Sequence, residues 1–164
     1  MMNKEGIQSS HVKDATKLSC PYCGGVEIML SSLMDDPNDI KNDSAFAALK
    51  LTNGDGTGIQ GLVGLCAQCG HEWVPLWYTF DTCTFTGAET TPALTNLDAA
   101  VADGLDGCWF IALVGTNANK YVEIASNTLA APTVITLAFA MPDDTDGLCM
   151  ITNIEPVGLT EIVA

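Results

Sequence analysis

The chain contains no arginine, and its six lysines stand against twenty aspartates and glutamates in 164 residues. Proteins hold a phosphate backbone with cations that displace condensed counterions, and they read base edges largely with the guanidinium fork of arginine. The first kind of side chain is scarce here and the second is absent, so nucleic acid is disfavoured as a partner. Residues 1–80 carry five lysines and nine acids, a net charge of −4, whereas residues 81–164 carry one lysine and eleven acids, a net charge of −10. A solvated face explains the N-terminal lysines better than a basic patch does.

Long apolar runs are also missing. No run approaches the roughly 20 residues that cross a bilayer, and the opening MMNKEGIQSSHVKD is polar rather than a signal peptide. We therefore expect no membrane partner, and a protein that stays in a reducing cytoplasm or is assembled there.

Histidine is nearly absent, which limits the chemistry available. His11 lies in the polar opening segment, and His71 follows a cysteine pair. The remaining residues supply no specific set of nucleophile, base and orienting group. The aspartates of residues 143–146 could form a metal site, but an aspartate-rich turn is more simply a solvated turn. We predict that the protein is not an enzyme and has no small-molecule substrate.

Cysteine is the informative residue that the chain does have. Two Cys-x-x-Cys pairs, Cys20/Cys23 and Cys66/Cys69, are each followed directly by glycine, and two such pairs supply the four thiolates of a tetrahedral metal centre. Four protein ligands leave no open position for substrate or water, so we predict a structural Zn²⁺ ion. A redox-active pair would precede a helix in a βαβ unit, which neither pair does. His71 could replace a cysteine but is expected to be a neighbour of the site.

Residues 18–78, with CPYCGG followed by CAQCGHEW, resemble a zinc ribbon. CGHEW is similar to the second knuckle of ribbons in transcription-elongation factors and RNA polymerase subunits. The resemblance implies that the four cysteines are the metal ligands and that Trp73 packs behind the second knuckle. The chain lacks the acidic hairpin tip with a basic neighbour that elongation-factor ribbons carry, and a ribbon fold alone implies no single function.

The order of segments predicts a mainly β protein in three parts. Residues 1–17 form a polar arm, and residues 18–80 form the zinc-ribbon domain, with strands at 26–30, 61–65 and 72–80. Asp36 before Pro37 and a following apolar stripe predict an inserted helix around residues 37–50. Residues 81–164 alternate short β-branched runs with turns, which predicts a small antiparallel β-sandwich or barrel. We expect a loop with one short helix at residues 89–104.

The three remaining cysteines, Cys83, Cys108 and Cys149, lie on mostly apolar backgrounds and are expected to be buried free thiols.

The sequence favours a protein that contacts other proteins, because it combines a structural zinc ribbon with an apolar β domain that has almost no lysine and shows no reactive group. The function we expect is that of a structural or assembly protein of a virion, such as a bacteriophage capsid decoration (cement) protein; these are similar in general kind, being small, β-rich and bound to a shell. Its partners would be copies of itself or a capsid shell protein. The alternative is a zinc-ribbon adaptor that contacts transcription machinery.

Overall fold

The computed structural model of the chain describes residues 2–3, 18–34, 51–53, 59–85, 89–99, 102–129 and 132–164. Most of the predicted arm and the helix predicted around residues 37–50 lie outside these ranges. No helix within them is long and apolar enough to span a bilayer.

The described residues form a mainly β structure, as predicted. Its strands are β1 (Met2–Asn3), β2 (Ile28–Met34), β3 (Leu51–Asn53), β4 (Ile59–Cys66), β5 (Glu72–Phe85), β6 (Pro92–Leu94), β7 (Leu97–Ala99), β8 (Trp109–Ala112), β9 (Lys120–Asn127), β10 (Ile135–Leu137), β11 (Gly147–Thr152) and β12 (Thr160–Glu161). One mixed sheet runs β1-β2-β4-β5-β11-β8-β9-β10, with β6 beside β5 and β12 beside β9, and β3 and β7 pair separately. The pairs are antiparallel except β12 with β9, which is parallel.

β5 is the central strand of the molecule. It is rich in aromatic and β-branched residues, which favour a pleated sheet. Its first half pairs with β4, and its second half pairs with β11 on one edge and β6 on the other. Pro75 is tolerated because the register with β4 shifts between Leu62 and Gly64, opposite this part of β5. The predicted boundary at residue 80 falls inside β5, so the two predicted domains share this strand.

The main core lies on one face of the curled sheet. Alternate residues of β5 from Trp77 to Phe85 point into it, where they meet apolar side chains of the strands from β6 to β11. Near β6 and β10, Ala93 and Val134 form an isolated bridge, and backbone hydrogen bonds join Leu94 to Thr133 and Leu137 to Thr90. These contacts do not form a continuous ladder between the two strands, so the sheet is not closed into a barrel.

Residues 89–104 differ from the sequence expectation. The described part of this segment contains β6 and β7 rather than a short helix. The buried carboxylate of Asp81 accepts hydrogen bonds from the backbone N–H groups of Asn96, at 3.0 Å, and Leu97, at 2.7 Å. These bonds to a distant strand hold the turn between β6 and β7, and local sequence could not reveal them because they join residues 15 or more positions apart.

Candidate metal centre

The first cysteine pair lies on a tight turn. The backbone N–H of Gly24 donates to the carbonyl oxygen of Cys20 at 2.9 Å, and the N–H of Cys20 donates to Gly25 at 2.8 Å. Gly24 has a φ of 74°, a left-handed conformation that glycine adopts at little cost. The N–H of Gly25 points at the Sγ of Cys23, 3.4 Å away. The turn therefore places the Cys23 thiol and the backbone N–H of Gly25 on the same side of the chain.

The second pair repeats this geometry. The N–H of Gly70 donates to Cys66 at 2.9 Å, the N–H of Cys66 donates to His71 at 2.9 Å, and the φ of Gly70 is 75°. Both pairs therefore form knuckles of the same kind, as the sequence predicted.

The pairing of β2 with β4 brings the two knuckles together. Ile28 lies opposite Cys66 in the ladder, and the N–H of Ala67 donates to the carbonyl of Glu27 at 3.0 Å. Because β2 leaves the first knuckle and β4 enters the second, this register places the two cysteine pairs at the same end of the sheet.

The four thiol sulfurs of Cys20, Cys23, Cys66 and Cys69 all lie within 4.8 Å of one another. The Sγ atoms of Cys20 and Cys69 are 3.6 Å apart, as are those of Cys23 and Cys66. Sulfurs at the corners of a tetrahedron with metal–sulfur bonds of about 2.3 Å are separated by about 3.8 Å. A disulfide would require about 2.05 Å. The spacing therefore fits one metal ion coordinated by four cysteines.

Electrostatics also favours a cation between the sulfurs. Burial raises the pKa of the Cys20 thiol, but hydrogen bonds from the backbone of Cys23 and Tyr22 and from the neighbouring thiols outweigh it and lower the pKa to about 7. A hydrogen bond from the backbone of His71 favours the Cys69 thiolate, yet desolvation and the adjacent sulfurs raise its pKa to about 12. Four thiolates at this distance repel one another unless a cation lies among them, and metal binding deprotonates its cysteine ligands.

A small apolar cluster shields the inner side of the site. Cys20 and Cys66 are buried with Ile28 and Leu30, and Trp73 packs against this cluster, which confirms its predicted position behind the second knuckle. Cys23 and Cys69 are exposed. The cluster is separate from the main core, so the end of the sheet that carries the four cysteines has few apolar contacts of its own.

Gly25 is a site residue that the sequence analysis did not single out. A Cβ atom at this position would lie 3.2 Å from the Sγ of Cys66 and 3.3 Å from the Sγ of Cys23. The glycine therefore leaves room for the sulfurs to converge. In the sequence, the second of the two consecutive glycines after Cys23 was the feature that could have pointed to this role.

His71 is a neighbour of the cysteines. The only group of metal-ligating side chains that converges within the described ranges is the four cysteines. The His71 ring stacks between Tyr22, at a centroid distance of 5.6 Å, and Trp73, at 6.1 Å. Tyr22, the outermost ring, is 79% exposed.

The other candidates from the sequence are structural. Asp143 accepts a hydrogen bond from the Thr145 hydroxyl, and Asp146 accepts one from the backbone N–H of Phe85. Cys83, Cys108 and Cys149 are buried free thiols, as expected. Burial, together with the charge of Asp106, raises the pKa of Cys108 to about 11.

Comparison of the chain with protein-family models, with curated proteins and with solved structures finds no match in any of the three.

Proposed function

We propose that the chain is a non-enzymatic structural protein of a larger assembly, and that its four cysteines hold a structural Zn²⁺ ion. The observation that carries the proposal is the convergence of the four sulfurs within 4.8 Å. Four thiolates complete a tetrahedral shell, so the metal has no free position at which to activate water or bind substrate. Zinc binding would then contribute directly to folding.

The location of the site explains why a metal is useful there. The apolar cluster around Cys20 and Cys66 is small, and in the part of the chain that the structure describes, β2 joins the rest of the sheet through β4 alone. A metal that joins the first knuckle to the second closes this end of the sheet. Small modules with too little core commonly depend on such a tie.

We further propose that the assembly is a virion, in which the chain acts as a bacteriophage capsid decoration protein assembled in the host cytoplasm. The acidic, β-rich composition supports this proposal. Its partners would be further copies of the chain or the capsid shell protein.

Removing the metal tests both the structural role of zinc and the attachment of the protein to a capsid shell. The purified protein is first analysed for metal content, and zinc rather than iron is expected. It is then bound to shells and treated with a zinc chelator, and its release and melting temperature are followed. We expect a lower melting temperature and release from the shell, both reversed by added zinc. Unchanged melting and unchanged retention after complete metal removal would contradict the proposal.

An adaptor that contacts transcription machinery is the second candidate. The observation that favours it is the stack of Tyr22, His71 and Trp73 beside the knuckles. Its outermost ring, Tyr22, is exposed, and aromatic side chains are enriched at protein interfaces. Light scattering separates the two candidates. A monomer that retains purified RNA polymerase supports the adaptor, whereas trimers or larger species that adhere to shells support the virion protein.

A further inference from the structure

The outer face of the sheet, which points away from the main core, is also apolar. The strand register places Phe80 of β5, Met150 of β11 and Ile111 of β8 in one row, and Tyr121 of β9 lies next to Ile111. An antiparallel sheet with one buried face commonly presents polar side chains on the other. An apolar outer face therefore needs a cover.

The C-terminal strap, defined as residues 153–161, supplies part of that cover. Its first residue, Asn153, accepts a hydrogen bond from the backbone N–H of Trp77 in β5 at 2.9 Å. Its far end is β12, which pairs with the start of β9. Between these ends, the Tyr121 hydroxyl donates to Glu155 at 3.3 Å. The strap therefore crosses the outer face from β5 to β9.

An apolar groove remains between the strap and the sheet. Its volume is about 440 Å³, and it is lined by Leu76 and Met150 on the sheet side and by Ile154 and Val157 on the strap side. Val157 is 67% exposed, so the groove is accessible. Its volume is in the range of about 300–1,000 Å³ typical of sites that enclose apolar ligands.

The charged side chains at and beside the groove are acidic among the residues that the structure describes. Glu155 is the charged residue of the groove lining, and Glu123, which pairs with Trp109 of β8, is exposed in the adjoining strand β9. The described residues contain thirteen acids and one lysine, Lys120, whose ammonium group donates to the carbonyl of Thr116. A ligand that combines apolar and cationic groups complements this surface.

We propose that the groove binds a cationic, apolar segment of a partner protein. An apolar side chain of that segment enters the groove between Met150 and Val157, and a neighbouring lysine or arginine lies against Glu155. The inference rests on the proposed function, in that it assumes a protein that works through contacts with other proteins. Beyond that function, it specifies which surface of the protein the partner contacts and the chemistry of the partner's segment.

A designed peptide tests the groove directly. The zinc-loaded full chain is titrated into a fluorescent peptide of alternating leucine and lysine, and binding is followed by anisotropy. We expect saturable binding that weakens as salt is raised, and no binding to the same peptide with glutamate in place of lysine. Equal binding by a peptide with glutamine in place of lysine would show that charge is not recognised and would overturn the proposal.

Three variants locate the binding. Val157→Ser removes an exposed apolar wall and should weaken binding about tenfold. Glu155→Gln keeps an acceptor for the Tyr121 hydroxyl and should weaken binding about two- to fivefold, with a smaller salt dependence. Glu89→Gln makes the same charge change at an exposed residue that does not line the groove, and it should bind like the wild type.

Other outcomes exclude other occupants. If Val157→Ser leaves peptide affinity unchanged, the peptide binds elsewhere and the proposal is wrong. If Val157→Ser instead converts an oligomer of the wild type to monomers, a second copy of the chain fills the groove. If the peptide does not bind but the protein is still retained on capsid shells in a zinc-dependent way, the groove proposal alone is wrong. If the peptide binds but the protein is not retained on capsid shells, the virion proposal is wrong and the groove proposal stands.

Discussion

The Sγ atoms of Cys23 and Cys66 lie 3.6 Å apart although the two residues are 43 positions apart in the chain. Cys23 is exposed and Cys66 is buried, so this pair of sulfurs connects an outer turn to the edge of the small apolar cluster. Closing so long a loop carries an entropic cost. A metal ion bound by both residues, as proposed above, would offset that cost, and we therefore expect the stability of this end of the sheet to depend on the metal.

Replacing one ligand should remove the metal. We expect Cys69→Ser to reduce bound zinc from one ion per chain to well below one, because the hydroxyl of serine is a poor zinc ligand. The free energy of unfolding should fall by more than about 4 kcal/mol. Metal analysis and urea denaturation measure the two effects.

The matched control for that variant is Gln68→Ser, an exposed position in the same knuckle. It should keep one zinc ion per chain and change stability by less than about 0.5 kcal/mol. Full zinc content in Cys69→Ser would mean that the four-cysteine site is not the metal centre.

Metal removal should divide the seven cysteines into two classes. Four thiols should react with a thiol reagent soon after chelation, because Cys23 and Cys69 are exposed and the two knuckles, each of which holds one of the buried thiols, should loosen without metal. Cys83, Cys108 and Cys149 are buried in the main core and should react only on unfolding. Mass spectrometry of the labelled peptides identifies each class. Early labelling of Cys149, which is 0% exposed, would contradict this division.

Gly25→Ala should weaken metal binding without changing a ligand. The added methyl group would crowd the Sγ atoms of Cys23 and Cys66 and the side chain of Gln68, 2.9 Å away. We expect at least about tenfold weaker zinc affinity in competition with a chromophoric chelator. Shortening Gln68 in the double variant Gly25→Ala, Gln68→Ala should not restore it, because the sulfurs stay crowded.

Gly24→Ala provides the comparison. A Cβ atom at Gly24 has no neighbour within 4 Å, but its φ of 74° is unfavourable for alanine. That variant should lose about 1–2 kcal/mol of stability through backbone strain. In Gly25→Ala the loss should instead appear in the metal affinity. Equal affinities for the two glycine variants would show that crowding of the sulfurs is unimportant.

The sequence was sufficient to predict that the four cysteines form one cluster because a Cys-x-x-Cys-Gly turn is local, and both knuckles form within six residues. The β class followed from local composition for the same reason. The turn after β6 could not be predicted, since Asp81 fixes it from another strand. The apolar outer face was also missed. It becomes visible only when the register brings Phe80, Met150 and Ile111 into one row.

Asp81→Asn should destabilise the folded protein. The carboxylate accepts backbone N–H groups of Thr82, Asn96 and Leu97 at 2.7–3.0 Å, and it is only 2% exposed. An amide puts an NH₂ donor where a backbone donor needs an acceptor, so we expect a loss of about 2–4 kcal/mol by urea denaturation. The control Asp144→Asn changes an exposed residue and should be nearly neutral. A loss below about 1 kcal/mol for Asp81→Asn would mean that the turn does not depend on this carboxylate.

Cys108 should make stability depend on alkaline pH. Burial first, and then the charge of Asp106, raise its pKa from 9.0 to about 11 in the folded protein. Between these two values the unfolded chain has lost the thiol proton and the folded chain retains it, so the stability that the neutral thiol contributes is present below pH 9 and is lost as the pH rises towards 11. The wild type should therefore lose up to about 1.4 kcal/mol more per pH unit in this window than Cys108→Ala. Urea denaturation of both proteins across the window measures the difference. Because both keep the four metal-site cysteines, parallel pH profiles would show that Cys108 titrates normally in the folded state.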